Sequence, residues 1–299
     1  MLTIKNYVRA KSLEEAYELN QKNGCILGGM LWLKMNSRTV QTAIDLSELG
    51  LNEIEETEGE FSIGCMTTLR QLELHDGLNT YGDGVFREAV KSIVGVQFRN
   101  LATVGGSIFG RYGFSDVLTV FLAFDTYVEL YKGGILPLAQ FAEMKRDKDI
   151  LVRLIVKKAP VRCAYVSHRN TKTDFPVLAC AVSEGPWGVR AAVGARPQRA
   201  QLFPVKGLPE CVPFGQLTPE QMKTAAEMTG KLVPVSGNMR AGAEYRGVLA
   251  KVLIRRALEQ LAVKSNVPVS LDTGAAQVPA SACGGGYTAA DIARVCGLE

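Results

Sequence analysis

The 299-residue sequence lacks the features that mark several large classes of protein. No apolar run approaches the ~20 residues needed to cross a bilayer. The first residues show no basic flank followed by an apolar stretch, so we expect neither a membrane span nor a secretory signal. The 34 basic and 30 acidic residues nearly cancel, which argues against a nucleic-acid-binding protein. These absences favour a soluble, cytoplasmic globular protein.

Motifs that hold metals or catalytic side chains are also missing. The seven cysteines include no C-x-x-C pair, and His75 and His168 are the only histidines. We therefore expect no zinc ribbon, iron–sulfur cluster or multi-histidine metal site in this chain. G-x-S-x-G and H-E-x-x-H motifs are absent too. This lack of an evident acid, base or nucleophile favours a protein whose bound cofactor carries the chemistry, with no catalytic side chain and no metal ligand of its own.

Two glycine pairs are the most suggestive local feature. Gly28-Gly29 and Gly105-Gly106 each follow an apolar or β-branched run. Glycine lets backbone N–H groups approach a ligand closely, and successive N–H groups in a turn form an anion site suited to a pyrophosphate. Neither pair fits a G-x-G-x-x-G fingerprint or a P-loop. Taken alone, each pair is weak evidence for such a site, and a tight turn explains it better.

The remaining sequence predicts alternating helices and strands. Ser12 and Glu15 form a capping box for a first helix, Thr67 or Thr68 caps another, and helical spacing continues through residues 85–94. Near residue 160 the pattern changes to strands at 163–167, 177–182 and 189–193, followed by a long helix at 243–263. This change predicts a second, α+β domain.

Five short segments, in order, resemble one family. They are SLEEA leading into ILGG (residues 12–29), IGCMTTL (63–69), RNLATVGGSI with Ser115-Asp116 after it (99–116), TDFP (173–176) and AEYR (243–246). Together they are similar to the FAD-binding medium subunit of the molybdenum hydroxylases, the group that contains xanthine dehydrogenase and aerobic carbon monoxide dehydrogenase. The resemblance covers roughly residues 1–264.

The resemblance implies a fold and a domain organisation. It implies an α+β chain with a vanillyl-alcohol-oxidase-like (PCMH-type) FAD-binding domain at 1–160, made of two lobes at about 1–55 and 56–160. A smaller α+β C-terminal domain of the CO-dehydrogenase-flavoprotein type would follow at 161–264. Residues 265–299 would be an extension to which we assign no role.

The resemblance also implies which residues bind FAD. One loop would wrap the pyrophosphate through backbone N–H groups, a second would hold its other side, an acidic residue would bind the adenosine portion, and an apolar residue would lie near the cofactor. The corresponding positions are Cys25, Ile26, Leu27, Gly28, Gly29, Met30, Leu31 and Trp32; Thr103, Val104, Gly105, Gly106 and Ser107; Ser115 and Asp116; and Leu151.

The sequence departs from the family pattern at three places. Met30-Leu31 replaces polar pairs, Ser107 replaces the usual Asn, and residues 110–113 (GRYG) replace a small loop that contains proline. If backbone groups do most of the phosphate binding, FAD binding survives these changes. Arg111 would then add a compensating positive charge.

The implied function is electron transfer within a larger assembly. FAD would be bound non-covalently, and electrons would pass between iron–sulfur centres and NAD+ or another acceptor. The [2Fe-2S] centres and the molybdopterin would lie on partners, a small iron–sulfur subunit and a large molybdopterin subunit of a hetero-oligomer. The alternatives are a stand-alone FAD oxidoreductase of the same fold, a flavin-free scaffold subunit, and a nucleotide-binding regulator without redox chemistry.

Overall fold

The N-terminal lobe is a small parallel sheet. A computed structural model describes residues 1–209 and 212–265. Strands β1 (Thr3–Arg9), β2 (Gly24–Leu27) and β3 (Thr39–Asp45) pair in the order β1-β3-β2, and helix α1 (Leu13–Gln21) connects β1 to β2. Ser12 caps α1 by accepting a hydrogen bond from the Glu15 N–H, as the capping box predicts. The chain leaves the carboxyl end of β2 directly into the first glycine pair.

The second lobe is an antiparallel sheet covered by short helices. Its strands are β4 (Ile54–Glu56), β5 (Glu60–Gly64), β6 (Thr126–Leu130), β7 (Gly134–Pro137) and β8 (Leu151–Lys157). They pair in the order β4-β5-β8-β6-β7. The helices are α2 (Leu69–Leu74), α3 (Asp76–Tyr81), α4 (Val85–Val90), α5 (Val96–Arg99), α6 (Val104–Phe109), α7 (Asp116–Leu122) and α8 (Leu138–Glu143). Buried phenylalanines at 61, 86, 121 and 141 fill the space between the helices and the sheet.

The C-terminal part is a four-stranded meander backed by two helices. Strands β9 (Arg162–Arg169), β10 (Pro176–Gly185), β11 (Gly188–Gly194) and β12 (Gln201–Pro204) pair antiparallel in sequence order. Helices α9 (Pro219–Gly230) and α10 (Ala243–Ser265) cover one face. Along β10, Ala179 and Ala181 pack into the core of the preceding lobes, whereas Cys180 and Val182 pack against the helices. Both faces of this strand are therefore buried.

Local structure follows the sequence-based predictions with one clear exception. The helix predicted through Val94 ends at Val90 instead. The Ile93 N–H donates to the Val90 carbonyl in a tight turn, and Val94 takes a left-handed backbone conformation with φ of 49° before Gly95. Helical spacing cannot reveal this break, because Ile93 still packs against the core.

Two further predictions concern the C-terminal extension and membrane spans. The predicted extension lies outside the described residues from position 266 onward. Within the residues that the structure describes, no helix combines the length and apolar character needed to span a membrane.

Candidate functional site

The two glycine pairs, far apart in sequence, pack against each other. A Cβ atom built on Gly28 would lie 2.7 Å from Thr103 Oγ1 and 3.8 Å from the Cα of Gly106. A Cβ atom on Gly29 would lie 1.7 Å from the carbonyl oxygen of Leu101, well inside van der Waals contact. Glycine is thus required at position 29 for the close approach of two backbones. We name residues 28–32 the first loop and residues 101–107 the second loop.

The first loop presents unpaired backbone donors. Over residues 1–209 and 212–265, the N–H groups of Gly28, Gly29 and Met30 donate no hydrogen bond. Met30 adopts a left-handed conformation with φ of 59°. A left-handed residue in a turn can direct neighbouring N–H groups to one side, which creates a concave anion site. The first loop therefore has the backbone features of an anion-binding turn, even though Met30 and Leu31 carry no polar side-chain atoms.

The second loop is held rigidly and contributes space rather than donors. Thr103 caps α6 by accepting from the Gly106 N–H at 3.1 Å, Val104 N–H donates to the Thr67 carbonyl, and Gly105 N–H donates to the Cys65 carbonyl. Gly106 is exposed, and beside it the Thr103 hydroxyl is the second-loop atom nearest to a Cβ position on Gly28. Ser107 turns its hydroxyl back to the Thr103 carbonyl at 3.0 Å.

The other predicted site residues connect to the second loop. Ser115 caps α7, and its hydroxyl donates to the Ser107 carbonyl at 3.4 Å. Leu151 is buried at the start of β8, beside Val152, whose carbonyl accepts from the Cys65 N–H. Cys25, Ile26 and Leu27 form β2 beneath the first loop. Most of the predicted residues thus lie in one continuous region around the two loops.

Asp116 forms a buried ion pair. Its Oδ1 accepts hydrogen bonds from Arg169 Nη2 at 2.8 Å and from the Tyr165 hydroxyl, both on β9. Burial raises the pKa of the Asp116 carboxyl, whereas Arg169 and Tyr165 act to lower it. The positive charge of Arg169 offsets the desolvation of the carboxylate, as buried charges require. Asp116 therefore joins the second lobe to the C-terminal sheet.

The Arg99 of the RNLATVGG segment supports the loop from below. Arg99 is buried, and its guanidinium donates to both carboxylate oxygens of Glu73, at 2.8 and 3.3 Å. Burial raises the pKa of Glu73, but hydrogen bonds from Arg99 and Arg70 outweigh it and hold the pKa below its usual range. Arg99 thus anchors α5, which leads directly into the second loop.

An aromatic cluster spans the first loop, the segment before α7 and the C-terminal part. The Trp32 ring centroid lies 5.4 Å from Phe98, 5.5 Å from Phe114 and 5.2 Å from Phe175. Phe114 and Phe175 are 4.2 Å apart. All four rings are only partly buried. We call these four residues the aromatic cluster.

Arg111 lies elsewhere. Its guanidinium carbon sits 3.9 Å from the ring centroid of Phe141, and the side chain lines a cavity together with residues 142–143 and 196–201. None of the predicted FAD-binding residues lines that cavity. The position of Arg111 therefore does not support the expectation that it adds a compensating charge beside the glycine loops.

The N-terminal half of the chain matches one protein family. Residues 2–159 match the model of the family described as the FAD binding domain in molybdopterin dehydrogenase. The chain belongs to this family. The match includes both glycine loops and both N-terminal sheets, and it confirms the resemblance stated from the sequence.

Solved structures of the family share the whole described architecture. Quinoline 2-oxidoreductase from Pseudomonas putida 86 superposes with a TM-score of 0.74 at 16% identity, covering 87% of this chain and 97% of that chain. A carbon monoxide dehydrogenase from Hydrogenophaga pseudoflava, which lacks the Mo-pyranopterin moiety, gives 0.75 at 22% identity, with 87% and 97% covered. Reconstituted CO dehydrogenase from Oligotropha carboxidovorans gives 0.74 at 21% identity, with 87% and 98% covered. These matches confirm the predicted fold class.

A curated relative is less informative about activity. The uncharacterized protein YgfM of Escherichia coli K12 is 27% identical over 188 residues, which are 60% of this chain and 70% of YgfM. The name of this relative states no activity, so the match adds sequence similarity alone.

Sequence reasoning missed several residues that shape the site. Phe114 directly precedes the Ser115-Asp116 pair, and Phe175 lies inside the TDFP segment, so both were within motifs already singled out. Their packing on Trp32 needs the tertiary fold. The partner of Asp116, Arg169, lies 53 residues away along the chain, and no spacing rule connects the two.

Proposed function

We propose that this chain is the FAD-binding subunit of a molybdenum hydroxylase and passes electrons between the iron–sulfur centres of a partner subunit and NAD+ or another acceptor. The observation that carries the proposal is that three backbone amides of the first loop, those of Gly28, Gly29 and Met30, donate to no acceptor in the described chain. A pyrophosphate needs several donors at close range, and this arrangement offers them where no Cβ intervenes.

The residues present fit FAD through their backbone. The amides of Gly28, Gly29 and Met30 would bind phosphate oxygens, while the capping bond of Thr103 fixes the second loop where it packs against the first. Met30-Leu31 removes side-chain donors, but Leu31 packs into the core and so fixes the path of the loop. When bound, FAD would supply the two-electron redox centre. The chain itself binds, positions and shields it.

The other redox centres would lie on partner subunits. Among the described residues, no group of three or more His, Cys, Asp or Glu side chains is placed to hold a metal ion. The similar solved structures are carbon monoxide dehydrogenases and a quinoline oxidoreductase, and one of them lacks the Mo-pyranopterin moiety of its molybdenum cofactor. By likeness to them, we propose an iron–sulfur small subunit and a molybdopterin large subunit as partners.

The first test is whether the purified chain carries flavin. The near-ultraviolet and visible absorbance spectrum is recorded, and the protein is then denatured to release and identify the chromophore. One releasable FAD per chain supports the proposal. No flavin after incubation with excess FAD, in both the isolated chain and the co-purified assembly, contradicts it and favours a flavin-free scaffold. Reduction of the bound flavin by the partner subunits, followed by reoxidation with NAD+, tests the direction of electron flow.

A further inference from the structure

One cavity is rich in arginine, and no residue of the first or second loop lines it. It has a volume of about 530 Å³ and is formed by the segment 111–113, the end of α8 and the loop 196–201. Its charged lining residues are Arg111, Arg196, Arg199 and Glu143. Three guanidinium groups face one carboxylate, so the cavity has a surplus of positive charge.

Arg111 is the unusual member of this set. It is only 2% exposed, and none of its three side-chain nitrogens has a hydrogen-bond partner within the described chain. A buried cation without an acceptor is costly, because it loses its hydration without replacement. The flat face of the guanidinium rests on Phe141, which leaves its five N–H donors unused. The backbone of Arg111 also lies in the left-handed region, with φ of 45°.

The neighbouring arginines are partly satisfied by the backbone. Arg196 donates to the carbonyls of Arg199 and Pro234, which fixes its position. Arg199 uses only Nη1, toward the carbonyls of Ala142 and Met144. Its Nε and Nη2 atoms remain available. Backbone carbonyls of residues 142, 144, 199 and 234 thus hold the two arginines in place.

Among the described residues, no carboxylate is hydrogen-bonded to Arg111. Glu143 Oε1 instead accepts a hydrogen bond from Gln201 Nε2 at 3.5 Å. Burial lowers the pKa of the Arg111 guanidinium, the charges of Arg199 and Arg146 lower it further, and Asp147 opposes them.

We propose that this cavity binds a phosphate-bearing small molecule through Arg111 and Arg199. A phosphate dianion has the charge that balances three guanidinium groups and one carboxylate. Its oxygens match the planar donor fork of arginine. The volume exceeds that of inorganic phosphate and falls in the range of small-molecule sites, so there is room for a nucleoside phosphate. This site is separate from the FAD cradle, and its existence does not depend on the proposed function.

The test is calorimetric titration of the purified full chain at constant ionic strength. The probes are inorganic phosphate, ADP and succinate, each added to the FAD-free and the FAD-saturated protein. Saturable binding of phosphate or ADP in both forms supports the proposal. A similar affinity for both phosphate probes identifies free phosphate as the ligand chemistry, and a tighter ADP complex identifies a nucleoside phosphate. Tighter binding of succinate, no binding of either phosphate probe, or loss of binding in the FAD-saturated form overturns the proposal.

Three variants make the assignment residue-specific. Arg111→Met is expected to weaken phosphate-probe binding about tenfold or more, since a charge-assisted hydrogen bond is lost. Arg111→Lys keeps the charge but loses the fork, so a smaller loss is expected. Arg9→Met is the matched control, because Arg9 is exposed and pairs with Glu48 far from the cavity. Equal affinity in Arg111→Met and Arg9→Met overturns the assignment.

Thermal unfolding separates a ligand-binding role from a structural one. Without ligand, Arg111→Met is expected to raise the Tm, because a buried unpaired cation is removed. Phosphate is expected to raise the Tm of the original chain, and this rise should disappear in the variant. A fall in Tm together with a retained phosphate response would show that Arg111 serves only to pack on Phe141. If Arg111→Met does not fold, the Arg111→Lys titration decides alone.

Discussion

Arg169 donates from Nη2 to Oδ1 of Asp116 across 2.8 Å, and this contact ties the C-terminal sheet to the first turn of α7. Both side chains are almost completely buried. The residue expected to bind the adenosine portion of FAD is therefore also a structural anchor. Its role toward FAD stays a prediction, whereas its role in stability can be measured directly.

Arg169→Met should destabilise the protein strongly. It leaves the Asp116 carboxylate buried without its cation, which costs about 3–5 kcal/mol for a buried pair. The free energy of unfolding is measured by urea denaturation. Arg9→Met is the control, since its pair with Glu48 is exposed and solvent screens it, so little stability should be lost. Equal losses in the two variants would show that the Asp116–Arg169 pair is not stabilising.

Glu73→Gln should change the pH dependence of stability. Hydrogen bonds from Arg99 and Arg70 hold the pKa of Glu73 below its ordinary value of 4.5 despite burial. A depressed pKa stabilises the fold above pH 4.5, and this contribution is lost as the pH falls through the folded-state pKa. The variant should be about 3 kcal/mol less stable than the original chain at neutral pH.

The difference in unfolding free energy between Glu73→Gln and the original chain should become smaller as the pH falls below 4.5. Urea midpoints at a series of pH values measure it. A difference that stays constant across this range would contradict the proposed ionisation of Glu73.

Gly106→Ala should separate FAD binding from stability. Alanine is about 1 kcal/mol more favourable than glycine within a helix, so the fold should be unharmed or slightly stabilised. The new methyl group would lie 3.0 Å from Thr103 Oγ1, which is the second-loop atom nearest to a Cβ position on Gly28. We expect the Kd for FAD to rise about tenfold, or about 1.4 kcal/mol.

The matched control for this change is Gly59→Ala, which adds a methyl group with no neighbour within 4 Å. FAD titration followed by fluorescence gives both affinities. Unchanged binding in Gly106→Ala would place the cofactor away from the wall formed by the second loop.

Trp32 should report FAD binding by fluorescence. The sequence has two tryptophans, and Trp187→Phe leaves Trp32 as the sole emitter. Because Trp32 is the last residue of the first loop and lies in the aromatic cluster, bound flavin should quench most of its emission. In the reciprocal variant, Trp32→Phe, the remaining Trp187 packs on Arg190 at the β10–β11 turn and should be quenched far less. Equal quenching in the two variants would contradict the placement of FAD at the first loop.

Much of the local structure could be predicted from the sequence. Ser12 and Thr68 cap helices through hydrogen bonds to backbone groups three residues away, so the relevant information is contained in a short segment. The glycine pairs were recognised for the same reason, since their backbone freedom is a property of the residue itself. Val94 shows the limit of this reasoning, because its left-handed conformation breaks a spacing that looked helical.

The contacts between loops could not be predicted in the same way. Gly29 touches Leu101 only because β2 and α5 end at the same place in the fold. The position of Arg111 depends on Phe141 and on a loop more than 80 residues later. Such contacts depend on tertiary packing, which overrides local sequence preference.

Strand β10 links the two halves of the molecule mechanically. Alternate side chains of one strand belong to different cores, so a displacement of Ala179 or Ala181 by the cofactor-binding lobes also displaces Cys180 and Val182 against α10. Because protein interiors are close-packed and have low compressibility, a displacement in one core is transmitted to the other. Residues 2–159, although they carry the family match, would therefore leave a large apolar face uncovered if they were produced alone, and the C-terminal sheet acts as the missing wall of their core.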